Sequence, residues 1–143
     1  MTPLLQVQHL YNTYLEQAEE AEKNTPFASG IFGLGKRASD DPCHDRFIQN
    51  LTALMAQFKE EGIDSAALRE VLAFVFQAHA EYQVPASTHW MLIAAHSTTL
   101  DVIPLLNRED AAALCAQYEK AFKRRERMPV QTKIVKLLNK AMK

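Results

Sequence analysis

The sequence predicts an all-α fold, a compact bundle of about six helices, and two observations carry that prediction. Apolar residues recur at spacings of three and four through nearly every segment, the period of one helical face. No stretch keeps the strict alternation of a half-buried strand. The helix pairs have similar lengths, as in a solenoid, but no residue signature returns at a fixed period, so a bundle over residues 1–143 is the expectation.

The first helix carries Leu4, Val7, Tyr11, Tyr14, Ala18 and Ala21 on one stripe. Thr2 is placed to cap it, and Pro3 suits a first helical position because its missing N–H would be unpaired there anyway. The acidic run Glu19, Glu20 and Glu22 falls near the helix C-terminus, where negative charge is least favoured, and so calls for a basic neighbour or open solvent. Thr25-Pro26 ends the helix. Residues 25–40 then hold three of the four glycines, Gly30, Gly33 and Gly35. A loop of about 16 residues is long for a compact domain and is of the kind that carries function or remains unstructured.

The second helix begins with Asp41 as N-cap and Pro42 as first residue, and its stripe is Phe47, Leu51, Leu54 and Phe58, with Ile48 and Met55 alongside. Gly62 closes it, and Asp64 or Ser65 caps the third. The third helix, with Leu68, Val71, Leu72, Val75 and Tyr82, is apolar on most sides because Phe74 and Phe76 add to the stripe. The fourth follows Pro85 and contains an unbroken apolar run from Trp90 to Ala95. Helices apolar all round are usually central, so these two are expected in the middle of the bundle, with Trp90 as a core anchor. Asp101 to Leu106 is a connector containing Pro104. Asn107 caps the fifth helix, whose stripe is Ala111, Leu114, Cys115, Tyr118 and Phe122, and Pro129 opens the sixth, with Val130, Ile134, Leu137, Leu138 and Ala141 inward.

Composition bounds the function classes. Of the 143 residues, 48% are hydrophobic and 23% charged, which excludes collagen-like and low-complexity chains. Two cysteines, Cys43 and Cys115, permit a bridge but nothing requires one. No apolar run approaches the ~18 residues of a membrane span, and no basic leader precedes an apolar segment, so a soluble, cytoplasmic protein without a membrane role is expected. The formal net charge of −1 conceals a division. Residues 120–143 hold nine basic residues against Glu126 alone, a net +8, which leaves −9 on residues 1–119. Lys133, Lys136, Lys140 and Lys143 form one stripe of the last helix, opposite its apolar side.

Gly30-Ile31-Phe32-Gly33-Leu34-Gly35-Lys36 satisfies the first seven positions of a phosphate-binding P-loop, but Arg37 stands where the magnesium-holding Ser or Thr belongs. The strand that should precede such a loop is missing as well. The same loop presents Phe27, Ile31, Phe32 and Leu34 on a glycine-rich segment with Lys36 and Arg37 at its tip. Two readings compete: a hydrophobic cover over the bundle, and a surface that docks a partner or ligand.

Cys43 and His44 sit in the first turn of the second helix, where a helix dipole favours thiolate, but Asp40, Asp41 and Asp45 oppose a second negative charge. Adjacent positions on a helix point about 100° apart, so the two are not a ready catalytic dyad. His89 and His96, seven residues apart, should share a face of the fourth helix about 10 Å apart, too far to hold one metal together. His79 could approach one of them, and His44 could join from the second helix. Hydrogen-bonded core histidines are the commoner outcome of such scatter, so no metal and no cofactor are expected. No Ser–His–Asp set and no Glu three residues before a His occurs.

The sequence therefore points to a protein–protein interaction or regulatory module, with an acidic protein surface or a second copy of the chain (a homodimer) as partner. One alternative is a small-molecule or metal-dependent enzyme using His44, His79, His89 and His96. Another is binding of nucleic acid or another anionic surface through residues 120–143; nucleic acid is disfavoured because the lysine stripe lacks interleaved aromatics and the rest of the chain repels phosphate.

Overall fold

A computed structural model describes residues 1–24 and 42–143. Among these there are six α-helices and no strand: α1 Pro3–Asn24, α2 Pro42–Glu61, α3 Ser65–Glu81, α4 Ala86–Ala94, α5 Arg108–Ala121 and α6 Pro129–Met142. Short 3-10 turns cover Ala95–Thr99, Ile103–Leu105 and Arg124–Glu126. Asp41 and the loop residues Phe27, Ile31, Phe32, Leu34, Lys36 and Arg37 lie outside the described residues.

The boundaries follow from local chemistry. Thr2 Oγ1 accepts from Leu5 N at 3.2 Å, satisfying one of the donors a helix start leaves unpaired. Asp64 caps α3 by accepting from Ala67 N at 2.8 Å, and Asn107 caps α5 by accepting from Asp110 N at 2.8 Å. Between α2 and α3 the chain turns through Gly62 at φ 71°, a left-handed conformation that a side chain resists.

α1 packs on α2 and α3, α3 on α4 and α5, and α5 on α6. The apolar stripes read from the sequence become one contiguous core. Val7, Tyr11 and Tyr14 of α1 meet Phe47, Leu51, Met55 and Phe58 of α2, and Leu68, Val71, Leu72, Val75 and Phe76 of α3 join Ala111, Leu114 and Tyr118 of α5 and Ile134 and Leu138 of α6. Tyr11 is wholly buried, edge-on to Phe47 and Phe74 with ring centroids 4.9 Å apart in each pair.

The middle of the bundle is not where periodicity put it. α3 is central as expected, but α4 is a nine-residue helix that packs on α3 and on the turn following it. The central position belongs to that turn, Ala95–Thr99, which is packed by α2, α3, α4 and α6 and buries Ala95, His96, Thr98 and Thr99. Thr98 and Thr99 tolerate burial because their hydroxyls donate to the carbonyls of Ala95 and His96 at 2.8 Å. Trp90 is not a core anchor: 55% of it is exposed. Thr88 and Leu92 face inward, and Trp90 stands two residues from each, about 200° around the helix. Cys43 and Cys115 are both free thiols.

The N-termini of α3 and α5 are tied together. Ser65 Oγ donates to Asp110 Oδ2 at 2.6 Å and accepts from Asn107 N at 2.8 Å, while Arg69 Nη1 reaches Asp110 Oδ1 at 3.2 Å. The Ser65 and Arg69 hydrogen bonds, with the Arg69 charge, hold the Asp110 carboxyl below its ordinary pKa and outweigh its partial desolvation.

Candidate functional site

Three of the four histidines considered from the sequence converge, on three different elements. His79 lies in the last turn of α3, His89 in the first half of α4 and His96 in the 3-10 turn. The α-helix ends at Ala94, so His89 and His96 do not share a helical face. His79 bridges them instead, with ring centroids 5.5 Å from His89 and 5.9 Å from His96. His44 lies against Tyr14 of α1, ring centroids 6.4 Å apart.

Aromatic rings from α3 and α5 wall the cluster. His96 is edge-on to Phe76 at 5.3 Å and to Phe122 at 5.5 Å, and Phe122 stands 5.1 Å from His79. Tyr118 on α5 and Phe122, the residue that follows the helix, bring their ring centroids within 4.8 Å of each other. They were not singled out from the sequence as site residues, although their spacing on one helical face was the available signal.

His96 is fully buried, and its Nδ1 shares a hydrogen bond of 3.1 Å with the Tyr118 hydroxyl. Its Nε2 is buried without a hydrogen-bond partner, as is Nδ1 of His79. Burial pushes the pKa of His96 down to about 3; the neighbouring His79 adds to the fall, and the Val75 carbonyl acts the other way. His79 is also held below the usual imidazole range, first by burial and then by His89. Both rings are therefore neutral at pH 7. Among the described residues no group of three or more His, Cys, Asp or Glu is arranged to hold a metal.

The thiols give no nucleophile at this cluster. Cys115 is buried on α5 with Sγ 3.7 Å from Asn139 Oδ1, and burial together with Glu119 raises its pKa, so it stays a thiol. Cys43 is half-buried and packs against the core.

The outer rim of the cluster is a surface. The exposed Trp90 ring lies 6.3 Å from His89, and on the other side Phe122 leads directly into Lys123, Arg124 and Arg125, all exposed. Beyond them Lys133, Lys136 and Lys140 are exposed on α6 and Lys143 just past its end; the packing partners of α6 are α5 and the turns at Ala95–Thr99 and Ile103–Leu105. A separate groove of about 430 Å³ runs between the second half of α1 and the α3–α4 connection, lined by Leu15, Ala18, Tyr82, Val84, Pro85 and Thr88 among others. No family model matches the chain, and no curated protein or solved structure matches it either.

Proposed function

We propose that the protein is a helical binding module whose contact surface is the exposed side of α4 together with the basic segment after α5, and whose partner is an acidic protein surface. The observation that carries this reading is Trp90, the chain's single tryptophan, standing 55% exposed on a helix whose other side is core. A tryptophan gains most when fully desolvated, and it is among the residues that dominate protein interfaces. The exposed cations Lys123, Arg124 and Arg125, which follow Phe122, supply charge attraction, which sets association rate and partner choice more than affinity.

The rival reading, an enzyme built on the histidine set, draws no support from a cluster whose inner imidazole is sealed from solvent and engaged by the Tyr118 hydroxyl. Affinity purification with the wild-type chain, Trp90→Ser and the triple variant Lys123→Glu, Arg124→Glu, Arg125→Glu tests the proposal. An acidic protein recovered with the wild type, lost with both variants and shifting Trp90 emission to shorter wavelength on mixing supports it. Equal recovery with all three chains refutes it.

A further inference from the structure

The α3–α4 seam is closed by imidazoles. His79 from α3 and His89 from α4 face each other with centroids 5.5 Å apart, and His79 also faces His96 of the turn at 5.9 Å. From α5 the cluster meets Phe122 and the Tyr118 hydroxyl, and the cation that acts on that hydroxyl is Arg127, just beyond α5. Beside burial, the group that opposes a charge on His79 is His89, and the group that opposes one on His96 is His79. A proton on one of these rings therefore repels a proton on the next.

α4 is also the least anchored of the six helices. It is nine residues long, its N-cap Pro85 provides no side-chain hydrogen bond, and it packs on α3 and on its own following turn. We propose that the His79–His89 contact is an acid-sensitive latch: protonation at this seam releases α4 from α3 while α1–α3 and the α5–α6 pair remain folded. His79 is half-buried and meets the proton first. His96 is wholly buried, with Nδ1 engaged by Tyr118 and Nε2 enclosed, so it takes a proton only when the central turn itself comes away.

The sign follows from the direction of both shifts. An imidazole held neutral in the fold stabilises it above the ordinary histidine pKa, and this contribution is lost as pH falls below that value. Release does not depend on what Trp90 binds, since Trp90 acts here as the reporter on α4.

The full chain is titrated from pH 7.5 to 3.5 while Trp90 emission, helical ellipticity and amide hydrogen exchange across residues 83–94 are followed, with exchange corrected for the intrinsic effect of pH. The expected result is a change in Trp90 emission between about pH 6 and 4.5, with faster exchange across 83–94, before most ellipticity is lost. Hydrogen exchange separates release from simple quenching of the indole, because quenching leaves the amides protected. His79→Gln, which cannot charge, should move the transition to lower pH by about one unit. Should that variant not fold, the C2–H resonances of the wild-type histidines provide the same test, with His79 titrating in step with α4 exchange. Loss of emission, exchange protection and ellipticity in one transition overturns the latch, and so does an α4 whose amides remain protected to pH 4.5.

Discussion

The hydroxyl of Ser65 donates a 2.6 Å hydrogen bond to Asp110 Oδ2 across 45 residues of chain, and the same hydroxyl accepts from the backbone of Asn107. One side chain thus serves the starts of two helices, α3 and α5. Ser65→Ala removes both bonds and leaves the Asp110 carboxylate one donor short, which should lower the midpoint of urea unfolding. Asp110→Asn should lower the unfolding midpoint at pH 7 and lose its effect in acid. The carboxyl pKa is depressed, so the contribution is present above the ordinary value of 3.8 and disappears as pH falls through the lower folded value.

The Tyr11 hydroxyl is buried without a hydrogen-bond partner, and burial raises its pKa above the ordinary phenol range. Tyr11→Phe keeps the ring contacts with Phe47 and Phe74 while removing a desolvated group that receives nothing in return. The variant should be more stable by about 1 kcal/mol, a rise of roughly 3 °C in Tm. A fall in Tm would show that the hydroxyl is satisfied in solution.

Tyr118→Phe should act in the opposite direction. Its hydroxyl is the partner of His96 Nδ1, and without it that nitrogen of a sealed imidazole loses its hydrogen bond. A loss of about 1–3 kcal/mol is expected by denaturant titration. The two Tyr→Phe changes delete the same atom from the same core, so their contrast isolates the hydrogen bond from the packing.

Trp90→Ser should leave thermal stability within about 0.5 kcal/mol, as for other exposed positions away from caps and buried contacts. A large drop in Tm would mean that the indole is covered in solution.

Gly62→Ala isolates backbone strain. A Cβ at this position meets nothing within 4 Å, so no clash arises, yet φ of 71° disfavours any side chain. The expected cost is about 1 kcal/mol, read as a lower Tm with an unchanged circular dichroism spectrum.

Much of the fold was legible because caps and stripes are local. Asp64, Asn107, Pro42 and Pro129 mark helix starts through chemistry confined to one turn, and Phe47 to Phe58 or Ala111 to Phe122 face inward wherever their helix packs. The run from Trp90 to Ala95 misled because hydrophobicity all round suggests a central helix, while the chain instead changes from α to 3-10 geometry at Ala95. The turn is packed by α2 and α6, elements distant in sequence, and the local feature at the switch is the run Ser97, Thr98 and Thr99, whose hydroxyls each bond the carbonyl three residues back. The same switch explains the histidines. Spacing along one ideal helix separated His89 from His96, and only the placement of α3 shows that His79 stands between them. The charge division was readable outright, and the lysines of α6 are exposed as their stripe implied.

The turn at Ala95–Thr99 has a consequence for assembly. Its neighbours α2, α3, α4 and α6 come from both sides of it in the chain, so the core closes only when segments far apart in sequence surround its four buried residues. A bundle made of local hairpins could fold pair by pair, whereas this one should form cooperatively and late. A nascent chain that has released α1–α3 still lacks its centre, and a break in the α3–α4 connection would leave two fragments, neither with a closed interior, that recover native order only by recombining.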